Sequence, residues 1–383
     1  LVILKPMYRN YSEIVILGQR RSMKNIFIIP ARSGSKGIPN KNVKPINGIP
    51  MFVWSIIHAK FIANKDDIIL VSSDSTKYLN IAERWGALPI KRPLRLATDK
   101  SFTEPVMSHA ISKVKINQND NIVLLQPTSP LRSKKLLLTL KEKLKTENSA
   151  VSLTESYQFI WKSLDEKFVK PSYKSRPRRQ DMEPSLIENG SIYFTKLRDY
   201  KKYENRVSKK AVPLVLNKYE SIEIDDVEEL NLIQILSKNF NTEWISEISL
   251  KKISNIFLDV DGVFAKNIKT TNSNKRYYST QDSNTLKTLI KNDINVVLVS
   301  SEQNKHSTTL FNKIGIKNVF FGVENKLNFL KTYMDKNNIK NDESIFVGND
   351  IQDKKCLSYF NISAVPADAN ESVKSEAKFI LNK

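Results

Sequence analysis

Ile29-Pro30-Ala31-Arg32-Ser33-Gly34-Ser35-Lys36-Gly37, running on to Lys41-Asn42, follows the apolar segment Asn25-Ile26-Phe27-Ile28-Ile29. Such a segment reads as a buried parallel strand, closed by a breaker at Pro30. A strand that empties into a loop of small residues with spaced cations is how a backbone cradles phosphates. Gly34 and Gly37 let amide N–H groups approach an anion, and Arg32, Lys36 and Lys41 supply charge. The pattern is neither a Walker loop, which ends in Gly-Lys-Ser/Thr, nor the Gly-x-Gly-x-x-Gly dinucleotide turn. Taken alone, the loop also fits a surface turn with incidental lysines.

Outward from this loop the chain alternates strand and helix, which predicts an α/β fold with a mainly parallel sheet flanked by helices. Met51 to Ala63 is an apolar-periodic helix, Asp67 to Ser73 and Asn121 to Gln126 are further strands, and Ser133 to Thr146 is a basic amphipathic helix. Lys170 to Arg179 is a loop rich in Pro and Arg, followed by a strand over Gly190 to Thr195 and a helix over Val227 to Ser237. A new α/β series starts at Asn255, with strands at Ile256–Val260, Ile294–Ser300, Asn318–Phe321 and Ser344–Val347. The expected organisation is therefore two Rossmann-like domains, 23–239 and 254–383, joined by a linker at 240–253. Met23 directly precedes the first strand, so residues 1–22 are expected to be a disordered or mis-started extension.

A length of 383 residues is more than one ordinary core requires. The composition, 40% apolar and 26% charged, is that of a soluble globular protein. The net charge of +21 is mostly scattered lysine, with no basic helix or aromatic-interleaved stripe, so anionic small molecules are expected rather than nucleic acid. No segment is long enough for a membrane span. Cys356 is the only cysteine, which excludes an intramolecular disulfide and fits the cytoplasm; it reads as a core residue of a helix from Lys354 to Phe360. His58, His109 and His306 read as structural or surface residues, since none falls in a recognisable triad.

Several motifs add to the opening loop. Val71-Ser72-Ser73-Asp74 ends a strand where a ligand crevice is expected. Arg92-Pro93 with Leu96-Ala97-Thr98-Asp99, the octet Leu125-Gln126-Pro127-Thr128-Ser129-Pro130-Leu131-Arg132, and Arg179-Gln180-Asp181 with Glu188-Asn189-Gly190-Ser191-Ile192-Tyr193 follow. Together they resemble the acylneuraminate cytidylyltransferases, over most of residues 24–237. The resemblance implies that Arg32, Ser33, Gly34, Lys36, Lys41, Asn42, Arg92 and Gln126 bind CTP. It implies that Gln126, Arg179, Gln180 and Asn189 face the sugar acid, for whose carboxylate an Arg fork is well shaped. Glu223-Ile224-Asp225 reads as a strand whose alternate carboxylates share one face and could hold Mg²⁺ between triphosphate oxygens. The family usually has Asp where Glu223 stands; Glu223 and Asp225 also fit a solvated or capping role. The implied reaction is attack of an anomeric hydroxyl on the α-phosphorus of CTP with loss of pyrophosphate, driven by Arg32, Lys36 and the ion at Asp225.

In the second unit, Asp259-Val260-Asp261-Gly262-Val263 after an apolar strand resembles the haloacid dehalogenase phosphatases, particularly those acting on 3-deoxy-octulosonate 8-phosphate. That resemblance implies Asp259 as nucleophile, Asp261 as general acid/base, Ser300 and Lys326 as phosphate-binding residues, and Asp259, Asp261 and Asp350 around Mg²⁺ with Asp353 in support. Ser301-Glu302 stands where Gly-Arg is usual, and Asp282-Ser283 where Asp-Gly is usual. This domain is therefore expected to be either a sugar-phosphate phosphatase or an oligomerisation module.

The leading expectation is an enzyme that makes a CMP-activated nonulosonic acid as a homodimer or homotetramer. CMP-Kdo synthesis is the first alternative, disfavoured because Ser35-Lys36-Gly37-Ile38-Pro39 stands where those enzymes carry Ser-Thr-Arg-Leu-Pro. A nonenzymatic nucleotide-binding scaffold with two degenerate sites is the second.

Overall fold

A computed structural model describes residues 23–240, 244, 253–270, 273–303 and 308–381. The predicted extension 1–22, most of the predicted linker, and His306 lie outside the described residues.

β1 (Asn25–Pro30) opens the first sheet, and a small hairpin of β2 (Pro45–Ile46) and β3 (Ile49–Pro50) leads to α1 (Met51–Ile62). β4 (Ile68–Ser73), α2 (Thr76–Arg84), β5 (Leu88–Lys91), α3 (Thr103–Ile111) and β6 (Asn121–Leu125) follow. α4 (Lys134–Thr146) feeds β7 (Ser149–Ser156), a projecting hairpin of β8 (Trp161–Ser163) and β9 (Val169–Pro171), and the long β10 (Ser185–Lys196). α5 (Leu197–Tyr203), β11 (Val212–Leu216) and α6 (Val227–Phe240) complete the unit.

The strands form one sheet in the order β11-β7-β10-β6-β1-β4-β5. β1 pairs in parallel with both β4 and β6, and β10 alone runs antiparallel to its neighbours β6 and β7. The order of strands reverses at β1, so a crevice opens beyond its carboxyl end. Alternate residues of β1 enter different cores. Phe27 and Ile29 pack with α1 and α4 on one face, while Ile26 and Ile28 pack with Met107 of α3 and Tyr193 of β10 on the other. α1 is buried nearly all round, from Met51 to Ala59, rather than along one stripe, because it lies between the sheet and α4.

The long β10 exceeds the predicted Gly190–Thr195 because residues 185–188 pair with β7 beyond the core, where their side chains are exposed and no burial pattern marks them. Glu223-Ile224-Asp225 forms no strand: it is an irregular connection leading to α6, tied by the Ile224 N–H to the Thr128 carbonyl at 2.9 Å.

β12 (Asn255–Asp259) starts the second unit, with a hairpin of β13 (Ala265–Thr270) and β14 (Ser273–Tyr278) before α7 (Thr280–Lys291). β15 (Asn295–Val299), α8 (Thr308–Ile314), β16 (Asn318–Phe320), α9 (Lys326–Lys336), β17 (Ser344–Val347) and α10 (Lys354–Tyr359) follow. β18 (Ile362–Pro366), α11 (Glu371–Lys374) and β19 (Phe379–Leu381) close the series. The sheet order β16-β15-β12-β17-β18-β19 is parallel throughout, with β12 at its switch point. Cys356 is buried in its core beside Phe257 and Phe346.

The units touch where the β2–β3 turn and α2, with Trp85 just after it, meet residues 371–380. Ile380 donates its N–H to the Gly48 carbonyl at 2.7 Å, Phe379 meets Trp85 edge-on at 5.7 Å, and Lys77 pairs with Glu371 at 3.0 Å. Arg84 pairs with Glu376 and donates to the Ser375 carbonyl at 2.7 Å. Among the described residues no helix is long and apolar enough to cross a membrane.

Candidate functional site

The loop after β1 is shaped from both ends. Ser33 donates its N–H to Asp74 Oδ1 at 2.9 Å and its hydroxyl to Oδ2 at 2.5 Å. Burial pushes the Asp74 carboxyl up, but the Ser33 hydrogen bonds and the nearby Arg92 charge outweigh it and hold the group below its ordinary range. Farther along, Lys41 donates to the Ile224 carbonyl at 2.7 Å and pairs with Asp225 at 3.0 Å. Arg32, just before the first anchor, and Lys36, between the two, both reach Asp99, at 2.7 and 3.0 Å. Gly37 passes so close to the second anchor that a Cβ there would meet the Asp225 carbonyl at 2.7 Å, whereas a Cβ at Gly34 would meet open space.

The result is a cavity of about 350 Å³ beyond the end of β1, lined by Arg32, Lys36, Lys41, Arg92, Gln126 and Asp225 among others. Cations outnumber carboxylates on this lining, as a polyphosphate site requires. Some predicted residues take part differently from the expectation. Asn42 lines the cavity but is buried and spends its amide N–H on the Arg32 carbonyl at 2.8 Å, so it shapes the loop. Arg92 is also buried, with its guanidinium on Ser72 Oγ and O at 3.1 and 2.6 Å.

Of the expected sugar-side residues only Gln126 joins this lining. Arg179 and Gln180 sit in an exposed 3-10 turn, and Asn189 gives its side-chain N–H to Thr154 at 2.8 Å. Glu223 also lies off the cavity: its carboxylate accepts from Thr128 at 2.8 Å and abuts Gly190. Burial raises the Glu223 pKa, with the Asp225 charge adding to the effect over the opposing Thr128 hydrogen bond. Because residues 223–225 are not a strand, the period-two argument that put both carboxylates on one face does not apply. Asp225, exposed and on the cavity wall, fits a hard cation shared with phosphate oxygens; Glu223 does not.

Residues without an assigned role in the sequence reading also converge here. Asp99 and Asp74 end quoted motifs but gave no sign of their partners. Arg132 ends the octet, and its fully buried guanidinium donates to the Gln126 carbonyl at 2.7 Å.

The second unit places Asp259 as the last residue of β12, at the switch point of its sheet. Lys326, at the start of α9, stands between Asp259 and Asp353 at 2.8 Å from each, all three buried. Asp353 is fixed further by the N–H groups of Asn349 and Asp350 at 2.9 and 3.1 Å. Burial and the Asp353 charge push the Asp259 pKa up against the pull of Lys326; burial lowers Lys326, but its two carboxylates outweigh that and raise it. Ser300, just past β15, donates to Asp261 at 3.3 Å. Gly262 has φ +84°, and a Cβ there would strike the Asn349 side chain at 1.8 Å, so only glycine fits the turn. These residues open on a cavity of about 1110 Å³ that also receives Asp350 and Glu302. Among the described residues no cluster of three or more His, Cys, Asp or Glu is poised to hold a metal. A cation at Asp259 and Asp350 would thus draw further oxygens from backbone, phosphate and water.

A family model described as Cytidylyltransferase matches residues 26–256, which include every wall of the first cavity. The chain belongs to the cytidylyltransferase family. The N-acylneuraminate cytidylyltransferase A of Danio rerio is 26% identical over 379 residues, covering 94% of this cytidylyltransferase and 86% of the relative. The pseudaminic acid cytidylyltransferase of Campylobacter jejuni subsp. jejuni is 30% identical over 230 residues, 56% of this chain and 97% of the relative. Among solved structures, a 3-deoxy-D-manno-octulosonate 8-phosphate phosphatase from Moraxella catarrhalis, in complex with magnesium ion, phosphate ion and a KDO molecule, is 20% identical. It covers 36% of this cytidylyltransferase and 82% of that chain, with a TM-score of 0.34.

Proposed function

We infer that the first domain transfers CMP from CTP to the anomeric hydroxyl of a nonulosonic acid and releases pyrophosphate. The observation that carries this reading is the cluster of Arg32, Lys36 and Lys41 around one cavity at the switch point of the sheet, which Gln126 and Asp225 also line. Its relatives' names, N-acylneuraminate and pseudaminic acid cytidylyltransferases, favour the nonulosonic acids as acceptor class over Kdo. The anomeric oxygen forms a bond to the α-phosphorus as the bond to the pyrophosphate oxygen breaks, and the hydroxyl proton leaves to solvent. Arg32 and Lys36 bind and neutralise the phosphates, Gly34 offers its backbone N–H while Ser33, whose N–H is taken by Asp74, shapes the loop, and Gln126 orients the nucleotide. Asp225 would hold Mg²⁺, which when bound polarises the phosphates. CTP-dependent pyrophosphate release, measured across a panel of nonulosonic acids with Kdo included, tests the reading. Release with Kdo alone, or with none, overturns it.

The second domain supports a sugar-phosphate phosphatase reading through the buried Asp259–Lys326–Asp353 array. In such a reaction an Asp259 oxygen attacks phosphorus, the sugar alcohol leaves with a proton from Asp261, and water then hydrolyses the aspartyl phosphate. Mg²⁺ would be held at Asp259 and Asp350 with further oxygens from backbone, phosphate and water, rather than by three carboxylates including Asp261 as first expected, while Ser300 and Lys326 grip the phosphate. Absence of phosphatase turnover in the parent and in Asp259→Asn alike would leave the domain an assembly module. A homodimer is supported by the β8–β9 hairpin, which exposes Trp161, Phe168 and Val169, and by the exposure of Leu186 and Ile187 on β10. A second copy covering this arm would bury it, and Arg179 and Gln180 lie in the same exposed segment. The buried free thiol of Cys356 fits a reducing, cytoplasmic setting.

A further inference from the structure

Arg132 is a cation that does not line the nucleotide cavity. Its fully buried guanidinium reaches Ser191 Oγ and O at 3.0 and 2.8 Å, Ser55 Oγ at 3.2 Å and His58 Nδ1 at 3.3 Å, besides the Gln126 carbonyl at 2.7 Å. The Gln126 N–H in turn donates to the Ser191 carbonyl at 3.1 Å. The peptide that presents the Gln126 side chain to the cavity is thus held on both sides by one arginine-centred network.

An arginine has only donors, so His58 Nδ1 must accept, which requires the neutral imidazole with its proton on Nε2. Burial, then the Arg132 charge, holds His58 well below its ordinary pKa, in keeping with that tautomer. A neutral ring beside a guanidinium stays dry only if its outer face is covered. The cover is Trp244, in the segment between the two domains. Its ring lies 4.8 Å from His58 and edge-on to Phe61 at 5.2 Å, it is fully buried, and Lys134 Nζ stands 5.3 Å over it.

We propose that Arg132 is a positioning residue for CTP binding, and that Trp244, through His58, keeps it in place. Trp244, which falls in the stretch predicted as a linker, is then part of the nucleotide site's support. This rests on the reading of Gln126 as a nucleotide-orienting side chain.

The test uses the full chain, with CTP affinity measured by calorimetry in the presence of Mg²⁺ and thermal stability measured in parallel. Gln126→Ala is expected to weaken CTP binding about tenfold, and Trp244→Ala about fivefold, the scale of one displaced hydrogen bond. Trp244→Phe, which still covers His58, should restore binding. In the Gln126→Ala background, Trp244→Ala should cost no further affinity, because the effect travels through that side chain. Should Trp244→Ala fail to fold, His58→Gln carries the same test. A Trp244→Ala protein that loses thermal stability yet binds CTP as the parent does would overturn the proposal, and so would an undiminished effect in the Gln126→Ala background. If Gln126→Ala itself binds CTP normally, the reading of the cavity fails as well.

Discussion

Arg32 and Asp99 form a 2.7 Å ion pair, and the same carboxylate also takes Lys36 at 3.0 Å. The hydrogen bonds from Lys36 and Arg32 hold the Asp99 carboxyl below its ordinary pKa, so it is an anion at neutral pH. One carboxylate therefore competes with the triphosphate for two of the cations meant to bind it.

Asp99→Asn is expected to bind CTP about threefold more tightly at low ionic strength, since exposed pairs of this kind are weak. The gain should shrink as salt is added, because screening weakens the pair in the parent. Calorimetric titration of CTP at two salt concentrations checks this, and weaker binding by Asp99→Asn would show that the carboxylate orients the cations instead.

The two loop glycines should respond differently to alanine. Gly37→Ala puts a methyl 2.7 Å from the Asp225 carbonyl, so it should lower the melting temperature without ligand and reduce turnover at least tenfold by displacing Asp225. Gly34→Ala meets open space and should leave the melting temperature unchanged, affecting only CTP affinity. Equal melting temperatures for the two variants would contradict this geometry.

Stability should fall on mild acidification. His58 titrates at its ordinary 6.5 when unfolded but well below that when folded, so the unfolded chain binds the extra proton first. Its contribution is fully present above pH 6.5 and is lost as the pH falls below it, by about 1.4 kcal/mol per pH unit until the folded pKa is reached. His58→Gln should flatten that part of the stability profile, measured by urea unfolding between pH 5 and 7.5. A parent profile already flat there would contradict the neutral assignment.

In the second domain, Lys326→Met leaves Asp259 and Asp353 buried together without a cation. A loss of about 3 kcal/mol is expected in chemical denaturation, at the lower end for a broken buried pair because Asp259 can take up a proton. Adding Asp259→Asn should recover part of that loss. No recovery would mean that the lysine acts on Asp353 alone.

Much of this was legible in the sequence because it rests on local pattern. The β1 run, the alternation of strands and helices, and the octet around Gln126 all declare themselves within a few residues. The reading of Glu223-Ile224-Asp225 as a strand went wrong because two alternating carboxylates carry no information about pairing; the main chain there bonds to Thr128 rather than along a ladder. The upper part of β10 was missed for the opposite reason, since it pairs fully but buries nothing. Arg179 and Gln180 were read with the cavity because they fall in a matching motif, and the fold of a single chain leaves them on an exposed arm.

By itself, the sequence determined two mainly parallel α/β units, the loop that supplies Arg32 and Lys36, and the strand end that carries Asp259, because hydrophobic period and breakers act over short range. Tertiary structure decided the partners: Asp74 for Ser33, Asp99 for Arg32, Ile224 and Asp225 for Lys41, Arg132 for Gln126, and Trp244 for His58. Ser33 and Asp74 lie 41 positions apart, and Lys41 and Asp225 lie 184 apart. Such contacts follow from which strands become neighbours and from the need to pair every buried charge, and no local pattern encodes either.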